Sequence, residues 1–385
     1  MKFTFDIPTK IYFGVGSIEK LKEIRKKRVA IISNKSNALE ICGAKKKITK
    51  ILEEKNIDYI LLNEVKENPD VENVMDITQK IKAFNSDLVI AAGGGSALDA
   101  AKISAFMAKN DGEVWDYIKG GSGKEKDYKH KGIDVITIPT TSGTGSEVNP
   151  WAVVTNKDLN EKIGFGFMDI FPKIAIIDPT FMLTVPKKYR IYQTFDALFH
   201  NIEVIISKDK NILSESLSLK AVELIYHNFI KVLENPNDIK AVEKLAYAST
   251  IAGISMQVTD PIIEHAMEHA MSAYHENLEH AAGIIMISKA FFSFLIEKGV
   301  KKEEFKQLAK IMGEKGNDPS DFIIGLDKLI KATKMDKLKM KDYGIRKEEF
   351  LKFTKNARYT MPDLYKANPI AMTDEEVFCV FENSW

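Results

Sequence analysis

The sequence predicts a parallel α/β domain over residues 1–185 and an all-helical domain over residues 186–385. In the first half, five short apolar strands alternate with helical patterns. Strands that are apolar throughout and joined by helices indicate a parallel sheet that is covered on both faces. In the second half the strand signals stop, and apolar residues recur at helical spacing between short polar breaks.

Turn residues separate the predicted elements along the chain. The predicted strands are residues 29–32, 59–62, 88–92, 135–138 and 174–177. Between them, helical patterns extend up to residue 50, over 71–84 and from about residue 96. The helices predicted for the second half are residues 212–233, 239–257, 262–275, 281–297, 302–312 and 319–333.

The composition is that of an ordinary globular protein of 385 residues, with 45% apolar and 28% charged side chains. This excludes a disordered or collagen-like chain. A net charge of +1 provides no field that would attract nucleic acid or an anionic membrane, and no apolar run approaches the roughly 18 residues of a membrane span. Two cysteines cannot build a disulfide framework. We therefore expect a soluble cytoplasmic enzyme without nucleic-acid or membrane partners.

A glycine turn follows the strand at residues 88–92, and a helix begins directly after it. Glycines let backbone N–H groups approach a phosphate, and the positive end of the helix faces the anion. The pattern is neither the G-x-G-x-x-G fingerprint nor a Walker A loop, so a tight turn without a ligand is the alternative. The candidate phosphate-binding residues are Gly93, Gly94, Gly95 and Ser96.

A second polar loop follows the strand at residues 135–138. Every residue between 140 and 146 is a glycine or carries a hydroxyl group, so the loop can surround a phosphate or a ribose. Two such loops at the carboxyl ends of parallel strands predict a nucleotide site in a Rossmann-like domain. The candidate residues of this loop are Thr140, Thr141, Ser142, Thr144 and Ser146.

The loop after the strand at residues 29–32 bears on the choice of nucleotide. In nucleotide-binding folds an acidic residue here accepts hydrogen bonds from the adenosine ribose and repels a 2′-phosphate. The chain has Asn34, Lys35 and Ser36 instead, with no Asp or Glu between Ser33 and Ala38. This favours NADP, with NAD as the alternative. A polar loop that binds no phosphate is the simpler interpretation.

The second half contains a candidate metal site. Four of the seven histidines fall within residues 265–280. Asp196 and His200 are four residues apart in a helical pattern, as are His265 and His269, so each pair lies on one helix face. Imidazole with carboxylate suits Zn or Fe(II). Spacing alone selects these four residues; it leaves undecided His275 and His280.

Four segments resemble the iron-containing (group III) alcohol dehydrogenase family, and they occur in the family's order. Residues 93–96, with Asp99 and Lys102, are similar to its pyrophosphate loop, and residues 139–147 to its nicotinamide-side loop. Residues 196–203 are similar to the first half of its metal site. Residues 265–269 and 278–283 are similar to the second half. The similarity extends from about residue 5 to residue 380.

The resemblance implies a dehydroquinate-synthase-like fold in which a nucleotide domain faces a helical metal domain across a cleft. It implies hydride transfer between NAD(P) and a small alcohol or aldehyde, in a homo-oligomer that is a dimer or larger. The ion would be Fe(II), with Zn as the alternative. The metal ligands that the resemblance implies are Asp196, His200, His265 and His280.

The resemblance also assigns two further residues. It makes His269 a non-ligand histidine near the nicotinamide, which either passes a proton or packs against the cofactor, and it brings Lys162 close to the cofactor.

Three other functions remain open at this point. These are a glycerol-type polyol dehydrogenase, a dehydroquinate-synthase-like lyase and a non-catalytic metal-binding protein. Apolar residues around the metal motifs favour a small alcohol or aldehyde over a phosphorylated acid. These residues are Phe195, Phe199, Met267, Met271 and Tyr274.

Overall fold

The computed structural model describes residues 3–385. Its first half contains a six-stranded sheet in which every pair of neighbouring strands is parallel, in the order β1-β8-β5-β4-β2-β3. The strands are β1 (Lys10–Phe13), β2 (Arg28–Asn34), β3 (Asp58–Val65), β4 (Leu88–Gly93), β5 (Val135–Pro139) and β8 (Ile174–Ile177). The parallel sheet predicted from the apolar strands is therefore confirmed.

Helices cover both faces of this sheet because alternate strand residues point to opposite sides. Ile31 and Ile90 pack with one apolar cluster, on the side of α2, while Ile32 and Ala91 pack with another, on the side of α3 and α4. Both faces are thereby removed from water. The helices of this half are α1 (Ala38–Ile41), α2 (Ala44–Glu54), α3 (Val71–Phe84) and α4 (Gly95–Met107).

Three strands were not predicted. β1 has only four residues and is exposed or half-buried at the sheet edge, so its apolar signal is weak. β6 (Trp151–Asn156) and β7 (Glu161–Gly166) form an antiparallel hairpin outside the main sheet. The polar turn between two β-prone runs was the available signal for this hairpin.

The second half is helical, as predicted. α5 runs through its centre and every residue from Thr194 to Ile206 is buried, so it lacks the polar face that marks a surface helix. The helices are α5 (Lys187–Ile206), α6 (Ile212–Glu234), α7 (Ile239–Ser255), α8 (Ile263–Tyr274), α9 (His280–Glu297), α10 (Lys302–Ile311), α11 (Asp321–Ala332), α12 (Phe350–Thr360), α13 (Pro362–Ala367) and α14 (Asp374–Asn383). The domain limit at residue 185 falls between β8 and α5 and stays a prediction.

Helix α9 is long and apolar enough to cross a membrane by length and composition alone, although Lys289 interrupts its apolar run. In the structure 61% of this 18-residue helix is buried inside the protein. Phe291, Phe292 and Leu295 are fully enclosed in the core. Its apolar character is therefore accounted for by packing within the helical half.

Candidate active site

The nucleotide loops meet at the point where the strand order reverses. β2 lies between β3 and β4. After β2 the chain adds β3 on one side of it, and it then crosses to the other side to add β4 and β5. Ligands of open α/β sheets bind at such a point, beyond the carboxyl ends of the strands. Asn34 Oδ1 accepts a hydrogen bond from Gly94 N–H across this crevice at 3.0 Å. Gly93 has φ +154°, and a Cβ there would lie 2.5 Å from Asn34 Oδ1.

Helix α4 is tied to the second polar loop by two buried charges. Asp99 accepts hydrogen bonds from the Ser146 hydroxyl and from Val153 N–H, so it connects α4 to the loop and the hairpin. Lys102 is fully buried, and its Nζ donates to the carbonyl oxygens of Ser146 and Asn149 at 3.0 and 3.2 Å. Burial lowers the pKa of Lys102 to about 8 against the opposing effect of Asp99. The two loops are held as one unit.

The polar loop also reaches the helical half. Ser142 N–H donates to Gln193 Oε1 on α5 at 3.1 Å. A Cβ at Gly143 would lie 3.1 Å from Asp196 Oδ2, so only glycine allows this approach without displacing its neighbours. The nucleotide loop and the candidate metal helix are therefore in direct contact.

A cavity of about 670 Å³ brings the two candidate sites together. Its lining includes Gly95, Ser96, Asp99, Thr144, Ser146, Lys162, His200, His265, His269 and His280. The other predicted residues of the two loops are outside this lining; they are Gly93, Gly94, Thr140, Thr141 and Ser142. One cavity thus joins the predicted phosphate-binding turn to a histidine cluster.

A second cavity of about 330 Å³ lies beside the end of β2. Lys35, Ser36 and Lys45 contribute to its wall, and Glu40 does so as well. The Lys45 ammonium is 3.1 Å from the Glu40 carboxylate and forms an ion pair with it. The Lys35 ammonium forms no ion pair with any residue in the range 3–385.

The candidate metal residues converge on one oxygen atom. Asp196 and His200 lie one turn apart on α5, His265 lies on α8, and His280 is the first residue of α9. Asp196 Oδ1 lies 3.4 Å from His200 Nδ1, 3.9 Å from His265 Nε2 and 3.5 Å from His280 Nε2.

This arrangement fits a metal ion better than a hydrogen-bond network. Asp196 Oδ1, His200 Nδ1 and His265 Nε2 are buried and make no hydrogen bond to any described residue. Leaving such atoms unsatisfied is costly. Ligand atoms about 2.1 Å from a tetrahedral ion are about 3.4 Å apart, close to the separations from Asp196 Oδ1. The ligand atoms of Asp196, His265 and His280 also lie within 4.8 Å of one another, whereas His200 is outside that group. The residues present fit a divalent ion.

The geometry favours His280 over His269 in the ligand set. The His280 ring contacts Asp196, whereas His269 lies beside His280, with 5.3 Å between ring centres, and groups with Glu268. Spacing along α8 alone would have selected His269, since i and i+4 share a helix face. His275 lies near Glu349, 3.2 Å away, and belongs to neither group.

Buried carboxylates orient two of the imidazoles. His265 Nδ1 is 2.6 Å from Glu203 Oε1. The other carboxylate oxygen of Glu203, Oε2, accepts a hydrogen bond from Ile262 N–H. His280 Nδ1 is hydrogen-bonded to Glu268, which is fully buried. Such carboxylates fix which ring nitrogen faces a metal. The sequence analysis missed Glu268, although a carboxylate one turn from His265, a candidate ligand, was a usable signal.

Electrostatics divide the cluster into charged and neutral groups. Burial would raise the pKa of Asp196, but His200 and its other imidazole neighbours outweigh it and hold that pKa well below its usual range. Burial lowers the pKa of His200 to about 4. For Glu268, His280 and Lys162 outweigh burial and lower the pKa to about 2. Against the effect of burial, Glu203 and Asp196 raise the pKa of His265 to about 10, and Glu268 and Asp196 raise the pKa of His280, which favours the protonated form of both rings. A metal ion binds neutral imidazoles and ionised carboxylates, so it would displace these protons.

Glu264 has the opposite character. It is fully buried, neither oxygen has a hydrogen-bond partner among the described residues, and burial together with the nearby Glu203 raises its pKa well above the usual range. Its raised pKa favours the neutral form of Glu264.

Lys162 is buried rather than a surface charge. Its Nζ donates to Ser272 Oγ at 2.9 Å and to Asn68 Oδ1 at 3.1 Å, and it lies 3.7 Å from Glu268 Oε2. The hairpin thus contributes a cation to the cavity wall beside His269.

The apolar residues used to predict substrate character do not line the cavity. Phe195, Phe199, Met267 and Met271 are fully buried in the helical core, because they point away from the histidine face of their helices. Tyr274 is likewise outside the lining. The apolar part of the wall is built by other residues, which include Trp151, Phe165, Phe167, Met256, Met361 and Leu364.

Comparison with known proteins accords with this architecture. Residues 8–179 match the family model of the iron-containing alcohol dehydrogenases, and residues 190–385 match the C-terminal model of the same family. Alcohol dehydrogenase 4 of Saccharomyces cerevisiae is 26% identical, over 99% of this chain and 98% of the relative. NADH-dependent butanol dehydrogenase A of Clostridium acetobutylicum is 32% identical, over 77% of this chain and 76% of the relative.

Solved structures show the same fold. The archaeal halo-thermophilic alcohol dehydrogenase ADH/D1 from a Red Sea brine pool superposes with a TM-score of 0.94 at 28% identity, covering 100% of this chain and 99% of the other. Because the two family models together span nearly the whole chain, it belongs to the iron-containing alcohol dehydrogenase family and is an NAD(P)-dependent alcohol oxidoreductase.

Proposed function

We propose that this protein is a metal-dependent alcohol dehydrogenase and aldehyde reductase whose ion is held by Asp196, His200, His265 and His280. The observation that carries the proposal is the convergence of these side chains on one Asp196 oxygen, in a cavity that the nucleotide loops also line. The family uses iron, so Fe(II) is the expected ion. Zn is the alternative because the ligand types suit it and it binds more tightly in the general affinity order.

When bound, the ion supplies Lewis-acid polarisation of a substrate oxygen, and the nicotinamide supplies or accepts the hydride. The chain's own residues position both partners. Gly95 and Ser96 at the start of α4 would present backbone N–H groups to the pyrophosphate. The contact between Gly143 and Asp196 fixes the nicotinamide-side loop against the metal helix.

His269 is proposed to act at the nicotinamide end of this cavity. Burial, reinforced by Lys162 and His280, holds the pKa of His269 well below its usual range, so the imidazole is neutral. A neutral imidazole with a free Nδ1 can accept a hydrogen bond from a ribose or substrate hydroxyl. The ammonium of Lys162 lies on the same wall and complements nearby negative charge.

NADP is the proposed nucleotide, with NAD as the alternative. Lys35 and Ser36 line the second cavity, and the Lys35 ammonium has no ion-pair partner within residues 3–385. Ammonium and hydroxyl groups bind a 2′-phosphate through charge-assisted hydrogen bonds. Asn34, at the crevice, lacks the charge that would repel it.

The cofactor proposal is tested by the ratio of catalytic efficiencies with NADP and NAD. The wild type should prefer NADP, and both Asn34→Asp and Lys35→Glu should shrink that preference by about tenfold or more. Lys46→Glu is the control, because Lys46 is exposed and outside the second cavity. A wild type that prefers NAD contradicts the proposal.

The proposed function itself is tested by an oxidation screen of short alcohols and diols with both nucleotides, after loading with Fe(II) or Zn. Net formation of NAD(P)H is expected, and it excludes a lyase that uses NAD only transiently. A glycerol-type polyol dehydrogenase is the second candidate, favoured by a carboxylate in the cavity wall, Asp260. We also propose a cytoplasmic homo-oligomer, for which sedimentation in solution gives the subunit number.

A further inference from the structure

The hairpin formed by β6 and β7 presents one face to the cavity that the histidines line. Successive strand residues point to opposite faces, so every second residue lies on the same face. Ala152, Val154 and Ile163 pack into an apolar cluster of the nucleotide half. The opposite face lines the cavity with three residue pairs that are in register: Trp151 with Gly166, Val153 with Gly164, and Thr155 with Lys162.

Gly164 lacks a side chain at a position where the fold does not require glycine. Its φ is outside the left-handed region, and a Cβ there would have only Met361 Cε within 4 Å among residues 3–385, at an ordinary contact distance of 3.8 Å. Gly166 differs, because a Cβ there would lie 2.6 Å from the Pro150 carbonyl oxygen. Glycine inside a strand costs stability and often marks a place where a ligand approaches the backbone. The space above Gly164 is therefore open to a ligand.

The space above Gly164 lies next to the histidine cluster. Lys162 precedes Gly164 by two residues on the same strand face, which corresponds to about 7 Å along the strand. The Lys162 Nζ is 3.7 Å from Glu268 Oε2, and Glu268 is hydrogen-bonded to His280. β7 also packs against α8, the helix that carries two of the histidines in the cavity wall. A substrate that is bound at the cluster and extends along this wall passes over Gly164.

The side chains around this space are apolar. Val153 lies opposite Gly164 in the strand register, and Trp151 is two residues from Val153 on the same face. Met361, at the end of α12, approaches Gly164 from the helical half. The indole N–H of Trp151 already donates to the Met256 carbonyl oxygen, at 3.4 Å. The carboxamide of a nicotinamide would find no hydrogen-bond partner among these side chains, whereas hydrocarbon needs none.

We propose that Gly164 determines how bulky the apolar part of the alcohol or aldehyde can be. The missing side chain leaves a gap in the hairpin wall, opposite Met361, that holds branched or aromatic carbon next to the reacting carbinol. A Cβ at residue 164 would contact no metal ligand and no residue of the nucleotide loops, so filling the gap changes substrate size alone. This rests on the proposed dehydrogenase function and adds to it the residue that sets the width of the substrate site.

The test compares kcat/KM for benzyl alcohol and 3-methylbutan-1-ol with kcat/KM for ethanol. For the wild type, both bulky alcohols should exceed ethanol by about tenfold or more. Gly164→Val should lower these ratios by about tenfold, and Gly164→Ala should have a smaller effect in the same direction. Met361→Ala, which enlarges the opposite wall, should restore most of the ratio when it is combined with Gly164→Val. Nucleotide affinity and metal content should equal those of the wild type in every variant.

A measurement of stability separates this role from a packing role. Valine favours strands more than glycine does, so Gly164→Val should raise the urea midpoint of unfolding if the space is free. A lower midpoint, with equal losses of activity toward ethanol and the bulky alcohols, would show that the fold requires glycine and would overturn the inference.

The outcomes also separate this inference from the proposed function. Unchanged ratios in Gly164→Val, or a weakened nucleotide affinity that would assign the space to the cofactor, overturn the role of Gly164 while the dehydrogenase function stands. If the wild type oxidises no alcohol, the proposed function fails. Binding of benzyl alcohol to the wild type and its loss in Gly164→Val, followed by the fluorescence of Trp151 in the cavity wall, then still decide whether the gap holds the ligand.

Discussion

Replacing Glu268 by Gln should weaken metal binding without removing any metal ligand. Glu268 is fully buried, bonded to His280 Nδ1 and 3.7 Å from Lys162 Nζ. The fall of its pKa from 4.5 to about 2 corresponds to about 3 kcal/mol of favourable interaction with the ionised carboxylate. Glutamine keeps an acceptor for the imidazole N–H but loses the charge. We expect a 10- to 100-fold loss of metal affinity, or about 1.4–2.7 kcal/mol.

Glu264→Gln provides the matched control on the same helix. Glu264 is equally buried, but its raised pKa makes it a neutral acid, so glutamine preserves both its charge and its ability to donate. The dissociation constant for Zn, measured by competition with a chelator, should therefore be close to that of the wild type for Glu264→Gln and larger for Glu268→Gln. Equal losses in both variants, or wild-type affinity in Glu268→Gln, would refute the reasoning.

Three further substitutions test other parts of the account. Gly95→Val should weaken nucleotide binding and leave metal content unchanged, since even a Cβ at Gly95 would lie 2.6 Å from Thr144 Cγ2; unaltered affinity in a cofactor titration would show that the turn is only structural. Lys102→Met leaves Asp99 and buried carbonyl groups without their cation. It should lower the free energy of unfolding by about 3 kcal/mol or more, measured as a lower urea midpoint, and a midpoint equal to that of the wild type would contradict this. Asp260→Asn should stabilise the protein by up to about 3 kcal/mol at neutral pH. The reason is that the pKa of Asp260 is raised by burial to about 6 in the folded protein and is 3.8 in the unfolded chain, so the stability of the wild type falls as pH rises from 3.8 to 6. The advantage of the variant should vanish below about pH 4, and a difference in urea midpoints that does not depend on pH would contradict the raised pKa of Asp260.

The sequence predicted the central strands and most helices because their apolar periodicity is strong. It missed the hairpin formed by β6 and β7, which stands outside the parallel sheet and whose alternation is short. That omission matters for the site, since the hairpin carries Lys162 into the cavity wall. The position of Lys162 depends on how the hairpin packs against the rest of the protein, and the local pattern of apolar and polar residues does not determine that packing.

The metal cluster shows the same limit. Helical spacing places Asp196 and His200 on one helix face, and it places His265 and His269 on one face in the same way. It does not connect either pair with His280, which begins the next helix. Only the packing of α9 against α5 brings His280 against Asp196, and family resemblance supplied that pairing. Glu268 and Asp260 were missed for a related reason: the importance of a carboxylate depends on which groups face it after folding.

The central claim is that Asp196, His200, His265 and His280 hold a divalent ion while His269 does not. Metal content per chain, measured for the wild type, His280→Ala and His269→Ala after identical loading with Fe(II) or Zn, tests it most directly. The account predicts about one ion per chain in the wild type and in His269→Ala, and a loss of the ion in His280→Ala. Full metal content in His280→Ala together with its loss in His269→Ala would contradict the account.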